Sequence, residues 1–191
     1  VWVDGEEALA GMVSELEAAE ELAVDLEHHS HRSFQGFTCL MQISTRTTDY
    51  VVDTLALRNQ LGPALARVFA DPRVVKVFHG ADSDVDWLQR DFSLFLVNMF
   101  DTGQAARVLG LPSFGLAYLL ESICGVQADK RYQMADWRVR PLSPPMLHYA
   151  RCDTHYLLYV YDKLREQLAA LPDQRVSSLL VIIVLGVCGW G

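Results

Sequence analysis

With 191 residues, 51% of them apolar and 21% charged, the chain has the composition of a folded domain with a sizeable core, which excludes an intrinsically disordered segment. Its formal net charge of -8 excludes a broad basic surface for non-specific nucleic-acid binding, but not a nucleic-acid enzyme whose acidic groups hold cations. Cys39, Cys124, Cys152 and Cys188 are scattered without a C-x-x-C pair and read as reduced thiols, not as a disulfide frame or a zinc site.

The chain opens at Val1 with no initiator Met and no signal peptide, and is expected to be a piece of something longer. Asp4 and Glu7 have the spacing of a helix N-cap and its N3 partner, and Leu9, Met12, Val13 and Leu16 follow at helical period. Leu22, Val24 and Leu26 then alternate with Ala23, Asp25 and Glu27, the period of two that marks a strand. Asp25 and Glu27 therefore share a face. Two carboxylates that close repel one another, and burial raises the cost, which a divalent cation between them would remove. A solvated edge strand is the plainer alternative. A polar loop ending at Gly36, a strand over 39–44, a turn and a strand over 50–53 complete an expected antiparallel meander. A helix is expected from about Pro63, a residue favoured in first turns, to Ala70.

Residues 74–78 predict the next strand, which runs into His79-Gly-Ala-Asp-Ser-Asp84. Val85, Leu88 and Phe92 recur at helical spacing and put Asp84 in a first turn, where helix capping is the simpler reading. A strand over 96–100, a helix capped by Asp101 and Thr102 and reaching Leu109, and a helix over 114–123 follow. The polar stretch 125–141 predicts a loop. One long helix is expected from near Ser143 and Pro144, with Leu147, Ala150, Leu157, Tyr161, Leu164 and Leu168 on its apolar face. Tyr149 and Asp153, spaced i and i+4, share a face beside that stripe; a packed tyrosine and a solvated aspartate are the alternative. Residues 176–191 carry no charge, yet fall short of the ~20 residues of a comfortable membrane span. One domain is thus expected over 1–171, and the tail 172–191 reads as a non-native or truncated end.

Three antiparallel strands followed by strand–helix alternation indicate an α/β domain with a mixed sheet. The handedness of crossovers brings the tip of the strand bearing Asp25 near that of the strand preceding Asp84. Four carboxylates on three elements then reach one sheet edge. Such a cluster suits two divalent ions that clamp a phosphodiester, and oxygen-only ligands favour Mg²⁺ or Mn²⁺.

Five segments carry a resemblance. Val24-Asp-Leu-Glu-His-His29, His79-Gly-Ala-Asp-Ser-Asp84 and Tyr149-Ala-Arg-Cys-Asp153 resemble the three exonuclease motifs of the DEDD superfamily, tyrosine subclass. Thr38-Cys-Leu-Met-Gln-Ile-Ser-Thr45 and Ala135-Asp-Trp-Arg-Val-Arg-Pro-Leu142 resemble its ribonuclease D-like branch that serves the nuclear RNA exosome. The likeness covers residues 23–168. It implies a ribonuclease H-like exonuclease fold, a mixed five- to six-stranded sheet flanked by helices. It also implies hydrolytic 3′→5′ removal of nucleoside 5′-monophosphates from RNA, in nuclear RNA processing and decay.

By the same resemblance Asp25, Glu27, Asp84 and Asp153 are ligands of two divalent ions, Mg²⁺ or Mn²⁺. Tyr149 orients or deprotonates the attacking water, and a phenol pKa of about 10 favours orienting. His28 and Trp87 resemble positions that touch the terminal nucleotide, Lys130 and Gln133 positions that hold its phosphate or sugar. A loop histidine, a core-edge tryptophan and solvated polar side chains are the alternatives. The implied partners are single-stranded RNA 3′ ends and nuclear exosome subunits, in nucleus and nucleolus; no membrane is expected. The sequence departs from the family at Cys152, where relatives can carry another Asp. On a helix its side chain points about 100° away from that of Asp153, so the metal site is expected to survive. The chain also stops where a helical RNA-binding domain of the HRDC type would continue. Two other readings compete: a DNA exonuclease of the same fold, like that of the Werner helicase, and a non-catalytic nucleic-acid or partner-binding module. The presence of all five expected catalytic residues weighs against the last.

Overall fold

A computed structural model describes residues 1–31 and 33–171; the apolar tail singled out above lies outside the described residues. Six strands form one mixed sheet: β1 (Trp2–Val3), β2 (Glu21–His29), β3 (Phe37–Ser44), β4 (Asp49–Asp53), β5 (Val75–Phe78) and β6 (Met99–Asp101). Across the sheet their order is β1-β4-β3-β2-β5-β6. β2, β3 and β4 are the expected antiparallel meander, β5 and β6 extend it in parallel beyond β2, and β1 pairs in parallel with β4. β1 is new to the reading above, since two residues are too few to show a period.

Alternation in the strands sorts side chains to two layers. Leu22, Val24, Leu26, Met41 and Ile43 face α1 (Glu6–Ala18), α2 (Arg58–Ala70) and α3 (Asp82–Phe92), where Leu9, Met12, Leu16, Leu61, Leu65 and Leu88 are buried against them. Ala23, Val77 and Phe100 face the other way, toward α4 (Thr102–Leu109), α5 (Leu116–Leu119) and its continuation as a π-helical turn over Leu120–Cys124. The same layer holds α6 (Pro144–His155) and α7 (Leu157–Ala169). Asp25 and Glu27 belong to that second face by register with Ala23.

The edge-strand alternative fails, because β2 lies inside the sheet. It pairs with β3 from Ala23 to His29 but with β5 only as far as Ala23. Past Ala23 one flank of β2 is open, and Asp25 and Glu27 stand in the crevice at the carboxyl end of β5, where α/β sheets bind ligands.

Three expected boundaries move. α2 begins at Arg58 and carries Pro63 inside it. The buried stripe Leu57, Leu61, Leu65 and Val68 outweighs the one backbone bond Pro63 cannot donate. The strand expected over 96–100 pairs only from Met99, because Asn98 turns through φ 60° and the Val97 N–H donates to Phe69 O instead. The single long helix is two. Tyr156, at φ -95° and ψ -8°, separates α6, whose Ala150 packs with Leu40, Val51 and Trp137, from α7, whose Leu157, Val160 and Leu164 pack with Val77 and Phe100.

Gly62 shows how tightly α2 and α3 meet. A Cβ there would lie 2.3 Å from the Phe92 carbonyl oxygen. Alanine usually gains ~1 kcal/mol over glycine inside a helix, but Gly62→Ala is expected to lose roughly 1–3 kcal/mol through overpacking. A urea titration checks the sign: a midpoint at or above the parent's would show that the two helices yield.

Candidate active site

Three elements deliver four carboxylates. β2 supplies Asp25 and Glu27, with a bulge between Glu27 and His28 that ends the regular register. α3 supplies Asp84 from its first turn, only 7% exposed. α6 supplies Asp153, one turn after Tyr149. Asp25, Glu27 and Asp153 each place a carboxylate oxygen so that the three lie within 4.8 Å of one another.

Burial pushes all four well above the ordinary carboxylate range. For Asp25 the Leu26 N–H partly offsets it. For Glu27 the charges of Asp25, Asp153 and Asp84 push in the same direction as burial. Asp84 and Asp153 are raised by burial and then by Asp25. Among the described residues no Lys, Arg or His forms an ion pair with any of the four. Packed, uncompensated negative charge with oxygen-only donors is what a hard divalent cation requires, so the residues present fit such an ion.

The turn that aims α3 is held by Asp101. Its carboxylate accepts from the N–H groups of Gly80 (3.0 Å) and Ala81 (2.8 Å), and also from those of Gly103 (2.7 Å) and Gln104 (3.1 Å). Gly80 takes φ 67° in that turn, a left-handed backbone that glycine enters without a Cβ penalty. The capping role expected of Asp101 is thus half of what it does. His79 joins the same junction through Nδ1, 2.9 Å from Thr102 Oγ1. Burial holds the His79 imidazole below its ordinary pKa.

A cleft of about 400 Å³ opens over the carboxylates, lined by Asp25, His79, Lys130, Gln133, Tyr149 and Asp153, with Gly115, Leu116, Ala117, Ala128 and Asp129. Lys130 and Gln133, both exposed, are therefore brought to the site. His79, Leu116 and Asp129 were not singled out by sequence. His79 opens the motif that ends in Asp84, whereas Leu116 and Asp129 left no signal, since Asp129 binds Arg131 like any surface acid.

His28 and Trp87 pair with each other, rings 4.1 Å apart and 7° from parallel. Arg90 Nη2 donates to His28 Nε2 at 3.2 Å, and Arg90 in turn rests on Asp91 and the Gln35 carbonyl. The pair does not line the cleft itself; it adjoins by chain, His28 following Glu27 and Trp87 lying one turn after Asp84. Tyr149 packs between Tyr132 (6.0 Å) and Trp137 (5.8 Å). Burial first, then the charges of Asp153, Glu27 and Asp25, raise its hydroxyl far above the usual phenol value. Cys152 points aside, as expected, with Sγ 3.6 Å from His148 Nε2.

The chain's similarities agree with this geometry. Residues 1–169 match a family described as 3'-5' exonuclease. Over 174 residues, 91% of its length, the chain is 58% identical to Exosome complex component 10 of Rattus norvegicus, of which it covers 20%. Over 180 residues, 94% of its length, it is 55% identical to Exosome complex exonuclease RRP6 of Saccharomyces cerevisiae, of which it covers 24%. It thus spans about a fifth of these curated relatives. The catalytic core of RRP6 from Trypanosoma brucei superposes with a TM-score of 0.91 at 48% identity, over 96% of this chain and 50% of that one. The sheet order and this likeness make the fold the ribonuclease H-like exonuclease fold. By its match from end to end of the described domain, the chain belongs to the 3'-5' exonuclease family.

Proposed function

We propose that the chain is a metal-dependent 3′→5′ exoribonuclease that shortens single-stranded RNA to nucleoside 5′-monophosphates. The observation that carries this is the convergence of Asp25, Glu27 and Asp153 within 4.8 Å beside Tyr149, with no basic side chain among the described residues paired to them. Asp25, Glu27, Asp84 and Asp153 hold two divalent ions, Mg²⁺ or Mn²⁺. When bound, the ions supply Lewis acidity toward the phosphodiester and activate water at neutral pH.

The chain's own residues do the rest. Tyr149, kept protonated by burial and by its acidic neighbours, orients water through its hydroxyl. Lys130 presents an ammonium to the terminal phosphate and Gln133 an amide to phosphate or sugar, from the wall they share. The His28–Trp87 stack offers a flat face to the terminal base. Exosome subunits as partners are inferred from what the relatives are named, and RNA as substrate with a nuclear and nucleolar setting from the resemblance of the five segments, since this chain is a fifth of the relatives' length.

End-labelled RNA with Mg²⁺ is expected to shorten stepwise from its 3′ end, and EDTA to stop it. A 3′-phosphate should block the reaction, because a terminal hydroxyl must fit against the carboxylates. Cuts in a circular RNA would refute an exonuclease. Matched DNA degraded faster than RNA would favour the DNA exonuclease of the same fold.

A further inference from the structure

Gln42 lies at the centre of the sheet, fully buried, and neither its side-chain nitrogen nor its oxygen has a hydrogen-bond partner. On β3 it stands directly opposite Asp25 on one side and Val51 on the other. Directly opposed residues of an antiparallel pair project from the same face, with Cβ atoms roughly 4.5–5.5 Å apart. Gln42 therefore shares the face of Asp25, beneath α6. Its neighbours two positions away agree. Leu40 packs with Val51, Ala150 and Trp137, and Ser44 Oγ donates to Thr154 Oγ1 of α6 at 2.8 Å.

A buried amide left unpaired costs ~1–3 kcal/mol for each group. Its near neighbours in this layer, Leu40, Val51 and Ala150, are apolar, so a leucine or methionine would fill the position without that cost. A ligating carboxylate, for its part, needs an outer donor to fix its orientation. We propose that Gln42 is a positioning residue for the metal site: its side-chain amide, unpaired without an ion, would donate to the Asp25 carboxylate once a divalent ion is bound and hold that carboxylate in its ligating orientation. This rests on the reading of Asp25 as a metal ligand. Gln42 touches neither ion nor substrate; it acts through Asp25.

The test is calorimetric titration of the parent and of Gln42→Met with Mn²⁺ alone, alongside melting of both in EDTA. The variant is expected to bind Mn²⁺ roughly 10–100-fold more weakly, the usual worth of an outer-shell partner, while melting at or above the parent's temperature. A merely structural role would lower the melting temperature and leave the affinity where it was. Unchanged Mn²⁺ affinity overturns the proposal. A second measurement needs no substitution: in ¹⁵N-glutamine-labelled parent, the Gln42 side-chain N–H pair, assigned through its own backbone, should shift on adding Mg²⁺. If it stays put while the metal binds, the proposal fails. A parent that binds no Mn²⁺ at all would instead sink the metal reading, so the two failures differ.

Discussion

Asp25→Asn should abolish cleavage, lowering the single-turnover rate by ~10³-fold or more, and should at the same time stabilise the metal-free protein. Losing a ligand from a two-ion site removes several kcal/mol of transition-state stabilisation, and each 1.36 kcal/mol is about tenfold in rate. The stabilisation comes from the same charge. Asp25 sits with Glu27 and Asp153 without a basic partner among the described residues, so replacing it by a neutral amide of equal shape relieves repulsion in the fold. The sign follows from its raised pKa. The folded state holds the Asp25 proton more tightly than the unfolded state does, so stability in EDTA is full at acid pH and falls as pH rises. The asparagine variant lacks that loss and should melt higher than the parent near neutral pH, by roughly 2–4 °C for each kcal/mol relieved. Saturating Mg²⁺ should reverse the order, because only the parent has its full ligand set. Near-normal cleavage by Asp25→Asn at saturating Mg²⁺ would sink the assignment, and a lower melting temperature in EDTA would show that the carboxylate is structural.

What could be read ahead of the structure was set by period. Asp25 and Glu27 are legible because alternation in β2 holds from Leu22 to Glu27, before the bulge, and a period of two fixes which residues share a face. Asp84 and the Tyr149–Asp153 pair were legible because helical spacing fixes faces as well. What period does not encode is where an element ends when burial changes partner. The apolar residues of α6 and α7 run on at helical spacing through Tyr156, yet they pack against different clusters, and only the sheet beneath requires the break. Pro63 is misleading for a related reason: a local preference for first turns yields to a buried stripe that begins six residues earlier, at Leu57. The second role of Asp101 depends on β6 lying parallel to β5, with Phe78 opposite Asp101, a pairing no local pattern shows. Gln42 stands within the family-like segment Thr38–Thr45, but its burial opposite Asp25 is a fact of register. His28, Trp87, Lys130 and Gln133 carried no pattern of their own and rested on resemblance alone.

Tyr149→Phe should lower the single-turnover rate roughly 10²–10⁴-fold, the usual worth of a positioned proton-transfer or orienting group, while leaving Mn²⁺ affinity almost unchanged. The substitution removes one hydroxyl and keeps the ring between Tyr132 and Trp137, so packing and all four carboxylates stay in place. Burial and the adjacent acids hold that hydroxyl protonated at any physiological pH, which argues for orienting the water over removing its proton. The pH–rate profile of the parent should accordingly show no limb assignable to the phenol. Asp153→Asn, one turn along α6 on the same face, should instead lose metal affinity and rate together. Calorimetric Mn²⁺ titrations of both variants, set beside their single-turnover rates, separate the two roles. A Tyr149→Phe variant that cleaves as fast as the parent would leave the ring a packing group and the water to be positioned by the carboxylates alone.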